Sequence, residues 1–188
     1  NAMTQILPAP GVLLIADPFL KDPNFKRTVI LLCEHQDEGS FGFVLNRPYS
    51  YTLDQLMASA EGMPLTVYFG GPVQPDTIHF LHQYPDKIPG GFEVTDGTYW
   101  GGDFESTKDL INDGSIGKNN IRFFLGYSGW SVNQLEMELQ ENAWIVSENS
   151  LKKKLLSKSS NQFWKEKIIE QGGEYVLFSN APENPMLN

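Results

Sequence analysis

The stretch Arg122-Phe123-Phe124-Leu125-Gly126-Tyr127-Ser128-Gly129-Trp130 decides how the rest of the chain is read. Arg122 to Leu125 is apolar and aromatic, the composition of a pleated, half-buried surface. Gly126-Tyr127-Ser128-Gly129 reads as a turn, with Gly129 expected at positive φ. Ser131 and Gln134 have capping-box spacing, so a helix is expected from Val132, with Val132, Leu135 and Leu139 on its buried face. A strand, a tight turn and a helix start present polar groups at one junction, where α/β proteins hold ligands. The pocket expected around it is rimmed by Asn46, Arg47, Trp100, Asp103, Tyr127, Ser128 and Trp130.

Upstream, Gly11–Ala16 is a continuous apolar run and Arg27–Glu34 is rich in β-branched residues. The turn Asp37-Glu38-Gly39-Ser40 joins the latter to Phe41–Asn46, which makes an antiparallel hairpin ended by Pro48. Thr52 and Gln55 form a capping box for a short helix that stops at Gly62. Strands follow at Val67–Phe69, Thr77–His82 and Gly91–Val94, and Tyr99–Asp103 reads as a turn with an aromatic lid. Asp103 caps a helix over 104–113. After the central stretch come a strand at Trp144–Val146, helices at Leu151–Leu156 and Gln162–Gln171, and a last strand at Tyr175–Phe178. Strands precede a mixture of strands and helices, which indicates α+β around one strongly curved, mixed sheet with flanking helices. One domain is expected over residues 4–180, with an irregular tail at 181–188. Asn1-Ala2 ahead of Met3 reads as the remnant of a cleaved tag.

Composition narrows the function. The net charge of −9 argues against coating nucleic acid. The charge is uneven, because residues after 150 carry six lysines against four acids, whereas residues 1–150 carry eight basic and 19 acidic side chains. Lys152, Lys153, Lys154 and Lys165, near Phe163 and Trp164, are the candidates for phosphate contacts, although a solvated helix face has the same look. No apolar run is long enough to span a bilayer. The single cysteine, Cys33, excludes an internal disulfide, and without an export signal the cytoplasm is the expected compartment.

Chemistry-bearing motifs are sparse. Ser128 sits as a nucleophile elbow would, but Gly-x-Ser-x-Gly is broken by Trp130, and His35, His79 and His82 all precede it. The glycine pairs Gly70-Gly71 and Gly101-Gly102 match no phosphate loop. Cys33 and His35 share a strand face, but a metal needs three or four converging ligands and only Asp103 and Glu34 offer themselves as extras. No metal or cofactor is therefore expected.

Ala16-Asp17-Pro18, Phe25–Val29, Gly42–Pro48, Gly70–Val73, Phe80-Leu81-His82, Trp100–Asp103 and Arg122–Trp130 with Gln134-Leu135-Glu136 together resemble the AlgH/YqgE-like family of bacterial proteins. The resemblance runs from about residue 9 to 178. It implies a bifurcated sheet curled into a partial barrel, and the name of one member implies a link to transcriptional control. It carries over no catalytic residue. The expectation is a regulatory or binding protein that takes a small-molecule ligand or a protein partner. The alternatives are a hydrolase using Ser128 with a histidine, and a nucleic-acid-associated regulator using the lysines.

Overall fold

The computed structural model describes residues 5–179, so the expected tag remnant and the tail at 181–188 lie outside the described residues. The central stretch is one long strand, β9 (Ile121–Trp130), with no turn in it. The other strands are β1 (Leu13–Ala16), β2 (Val29–Gln36), β3 (Gly39–Val44), β4 (Pro48–Thr52), β5 (Thr66–Phe69), β6 (Val73–His82), β7 (Phe92–Thr95), β8 (Thr98–Trp100) and β10 (Trp144–Ser147). They form one ten-stranded sheet along the path β10-β1-β2-β3-β9-β6-β8-β7. The expected β2–β3 hairpin is present, with a bulge between Leu32 and Glu34.

β9 is also where the sheet divides. Its first half pairs with β5, Val67 to Phe123 through Phe69 to Leu125, in parallel. Its second half pairs with β3, Gly42 to Ser128 through Ser40 to Trp130, antiparallel. β6 runs antiparallel along its other side. Every pairing except β5 with β9 is antiparallel. Among the described residues no pairing joins β10 to β7, so the bifurcated sheet is mixed, mostly antiparallel and open.

Alternation along β9 supplies two cores, because successive side chains of a strand point to opposite faces. Ile121, Phe123 and Leu125 pack with Leu53, Met63, Val67 and Phe80. Phe124 packs with β1, β2, β3 and the apolar side of α4 (Phe163–Glu170), notably Phe163, Trp164 and Ile168. Gly126, at φ +67°, then resets the alternation, and Tyr127 joins the side of Phe124.

Two of the three expected caps form, whereas α3 (Gln134–Gln140) takes Asn133 and not Ser131 as its N-cap. Thr52 and Gln55 close a capping box on α1 (Leu53–Leu56), and Asp103 caps α2 (Phe104–Asn112) through the Ser106 amide at 3.0 Å. Several expected boundaries move. Pro48 opens β4 rather than ending structure, at the first strand position where its missing N–H is tolerated. Tyr99 and Trp100 lie in β8, not in a turn. α3 is shorter than expected, Gln134–Gln140, and Val132 is exposed ahead of it. The expected last strand is a helix, α5 (Glu174–Phe178), turned back by Gly172 and Gly173 to pack beside α4. A short apolar run reads the same for either structure, and packing decides between them.

Candidate functional site

Four aromatic side chains from four strands meet over the second half of β9. Phe41 of β3 lies 4.8 Å from Trp100 of β8 and 5.9 Å from Tyr127 of β9, between ring centroids. His79 of β6 lies 5.7 Å from Tyr127, edge to face, and 6.3 Å from Trp100. Such tilted and edge-to-face arrangements suit rings with negative faces and positive edges. The rings border an open cleft of about 620 Å³ with Glu34 and Glu38 on its lining. That volume is within the range of small-molecule sites.

Gly129 is part of the same surface. It pairs in register with Phe41, and its backbone is extended rather than left-handed, contrary to expectation. A Cβ there would meet Tyr127 Cε2 and Val73 Cγ2 at 3.5 Å, an ordinary contact. The residue that needs to be glycine is Gly126, where a Cβ would approach the Gly71 carbonyl oxygen to 2.5 Å at positive φ.

The expected pocket residues separate into two sets. Trp100, Tyr127 and Trp130 line the cleft. Trp130 is nearly buried, and its indole N–H donates to Glu138 Oε1 at 3.1 Å, as does that of Trp144 at 2.8 Å. Asn46, Arg47, Asp103 and Ser128 are not part of the lining. Asn46 clamps a loop, accepting from the Val29 amide and donating to the Arg27 carbonyl. Arg47 donates to the carbonyls of Pro23, Asn24 and Lys26, so its guanidinium organises backbone instead of awaiting an anion. Asp103 is an exposed cap, its carboxyl held below the usual range by hydrogen bonds from the Ser106 hydroxyl and amide.

Ser128 fails as a nucleophile for a plain reason. It is 0% exposed and gives its hydroxyl proton to the Gly70 carbonyl at 3.0 Å. The histidines are engaged elsewhere: His35 with Ser40 and Glu136, His79 with Thr77, His82 with Gly101. Ser40, His35 and Glu136 do form a chain, at 2.5 Å and 3.4 Å. His35 and Ser40 are register partners across the hairpin, so this chain ties its tip to α3.

Burial sets the remaining titrations. It holds the imidazoles of His79 and His82 below their ordinary value, partly offset at His82 by the Gly101 carbonyl. Burial, with Glu34 adding to it, pushes the Cys33 thiol up, which makes it an inert core group. Among the described residues no three His, Cys, Asp or Glu side chains converge as metal ligands would.

The lysine candidates lie apart from the cleft. Lys152, Lys153 and Lys154 border an open depression of about 710 Å³ with Asp96, and Lys152 stands 4.0 Å from that carboxylate. Lys165 lies on α4, flanked by Lys158 paired with Glu166 and by buried Lys167 paired with Glu170. Of the residues that make the cleft, Phe41, His79, Glu34 and Glu38 are absent from the pocket expected from sequence. For the three on the hairpin the one signal was an aromatic side chain beside its polar end, which exposed sheet surface also shows.

The model of the AlgH-like family matches residues 13–176. The chain belongs to the AlgH-like family. It is 44% identical over 179 residues to a UPF0301 protein of Chlorobium limicola, covering 95% of each chain. A UPF0301 protein of Cytophaga hutchinsonii is 40% identical over 180 residues, covering 95% of this chain and 98% of its own. The fold is similar to the solution structure of the AlgH protein from Pseudomonas aeruginosa, with a TM-score of 0.71, 27% identity and coverage of 96% and 98%. A crystal structure from Corynebacterium diphtheriae shares the family's fold at a TM-score of 0.77 and 21% identity, covering 96% of each chain. Among the described residues no helix is long and apolar enough to cross a membrane.

Proposed function

We propose that this AlgH-like protein is a cytoplasmic binding protein of a regulatory kind, which takes a small organic ligand into the cleft over the second half of β9. One observation carries the reading: Phe41, His79, Trp100 and Tyr127, from four strands, converge on a cavity of ligand size. A rigid sheet places these rings at no further ordering cost, which favours binding. An influence on transcription would then pass through a protein partner. The acidic body supports that route, as do the acids paired with Lys158 and Lys167, since a phosphate-binding face needs a contiguous positive stripe.

The test is native mass spectrometry of protein purified from its own cells, with Trp100→Ala beside it. A small molecule held in equal stoichiometry by the parent and lost from the variant is the expected result. A ligand retained by Trp100→Ala would place the site elsewhere.

A further inference from the structure

The cleft has a charge character that selects among ligand classes. Its lining carries two carboxylates, Glu34 and Glu38, and no lysine or arginine. Glu38 makes no hydrogen bond or ion pair among the described residues. Glu34 meets only the neutral amide of Gln36, at 2.6 Å. Glu136 is already turned to His35, and Glu138 to two indoles and Gln134, so the acids of α3 are spoken for while those of the hairpin are not. On the same lining lie the rings of Phe41, Trp100 and Tyr127. Aromatic faces attract cations and repel anions, as unpaired carboxylates do. An anion entering here would find no lysine or arginine as counter-charge, and a neutral molecule would gain nothing from the two carboxylates, of which Glu38 is exposed and Glu34 half-buried. The imidazole of His79, whose burial disfavours its charged form, does not compete for the acids. The net charge of −9 also raises the local concentration of cations around the body.

We infer that the ligand of this cleft is an organic cation, an ammonium group joined to an apolar body, with the body against Phe41, Trp100 and Tyr127 and the charge between Glu34 and Glu38. This rests on the binding reading above and narrows it to one chemical class.

Three compounds with a common apolar body test it: phenethylammonium, 2-phenylethanol and phenylacetate. Each is titrated into the whole protein while the indole N–H signals of Trp100 and the other three tryptophans are followed by NMR. The expected result is that phenethylammonium perturbs the Trp100 signal at a concentration at least roughly tenfold below the other two. That preference should shrink severalfold in the double variant Glu34→Gln/Glu38→Gln, whose melting temperature should match the parent's. Gly129→Val, which fills the floor of the cleft, should abolish the perturbation; it also serves if Trp100→Ala, which removes the probe signal, unfolds. If 2-phenylethanol or phenylacetate binds as well as the ammonium and is blocked by Gly129→Val, the cation inference falls and the binding reading stands. If none of the three moves the Trp100 signal up to roughly 10 mM, both fall. Ammonium binding that survives Gly129→Val overturns both as well.

Discussion

The two ends of β9 treat polar groups in opposite ways. At the first end Arg122 is 5% exposed, and its guanidinium donates to the carbonyls of Leu45, Leu156 and Lys158 at 2.8, 3.0 and 2.8 Å. The ring of Tyr68 covers it at 4.1 Å. Every one of those partners belongs to the protein, so three of the five guanidinium N–H groups are spent on its own backbone. At the other end Tyr127 and Gly129 are half-buried on the lining of the cleft, which also carries the carboxylates of Glu34 and Glu38. A buried charge held by three backbone carbonyls is scaffold, since leaving it unsatisfied costs free energy. Rings that share a cavity, beside acids that make no ion pair among the described residues, are what a binding surface needs. A strand of ten residues therefore holds both a structural clamp and a candidate site.

Breaking the clamp should have the largest effect. Arg122→Leu would strand two buried carbonyls and one part-buried one, and is expected to cost about 3–5 kcal/mol, read from denaturant midpoints. A loss below about 1 kcal/mol would mean that water replaces the guanidinium and that the corner is no clamp.

Gly126→Ala comes next. It forces a Cβ into a left-handed residue and against the Gly71 carbonyl, and should cost roughly 2–3 kcal/mol.

Acid should act through the first half of the sheet. His82 accepts from the Tyr84 amide at Nδ1, at 3.1 Å, and so donates from Nε2 to the Gly101 carbonyl at 2.9 Å, the pattern of a neutral ring. Burial lowers its folded-state value, and that of His79, below the unfolded value of about 6.5. Above about pH 6.5 neither state binds the proton and stability is flat. As pH falls through that value the unfolded chain takes up protons that the folded one resists, so stability declines until the folded-state values are passed. The melting temperature should drop between pH 7.5 and 5.5, and less steeply in His82→Gln; an equal slope in both would assign the drop to other groups.

The smallest expected effect sharpens the comparison most. Gly129→Ala should change stability by no more than about 0.5 kcal/mol, because its backbone is extended and its new methyl finds ordinary contacts. Two glycines three positions apart would then differ severalfold in cost, the first holding the fold and the second shaping the cleft.

Legibility in the sequence followed the range of the interaction. The hairpin, the caps at Thr52 and Asp103 and the α+β class were all readable from neighbouring residues. The site was half readable. Trp100, Tyr127 and Trp130 line the cleft as expected, but Asn46, Arg47 and Ser128 bond to backbone from 17 to 58 residues away, which no local pattern reveals. Gly126 and Gly129 look alike in a string, and only the packing of Gly71 and Val73 against β9 separates them.

By itself, then, the sequence determined the chain's family, its charge, its short-range caps and which segments are apolar enough to be strands, because these rest on residue type and spacing over a few positions. Tertiary structure alone decided that β9 continues as one strand past its two glycines, that Tyr175–Phe178 winds into a helix, and that Phe41, His79, Trp100 and Tyr127 share one cavity. Those outcomes depend on which distant backbone supplies each strand with its hydrogen bonds and each ring with its neighbours, and that choice is made by the whole sheet at once.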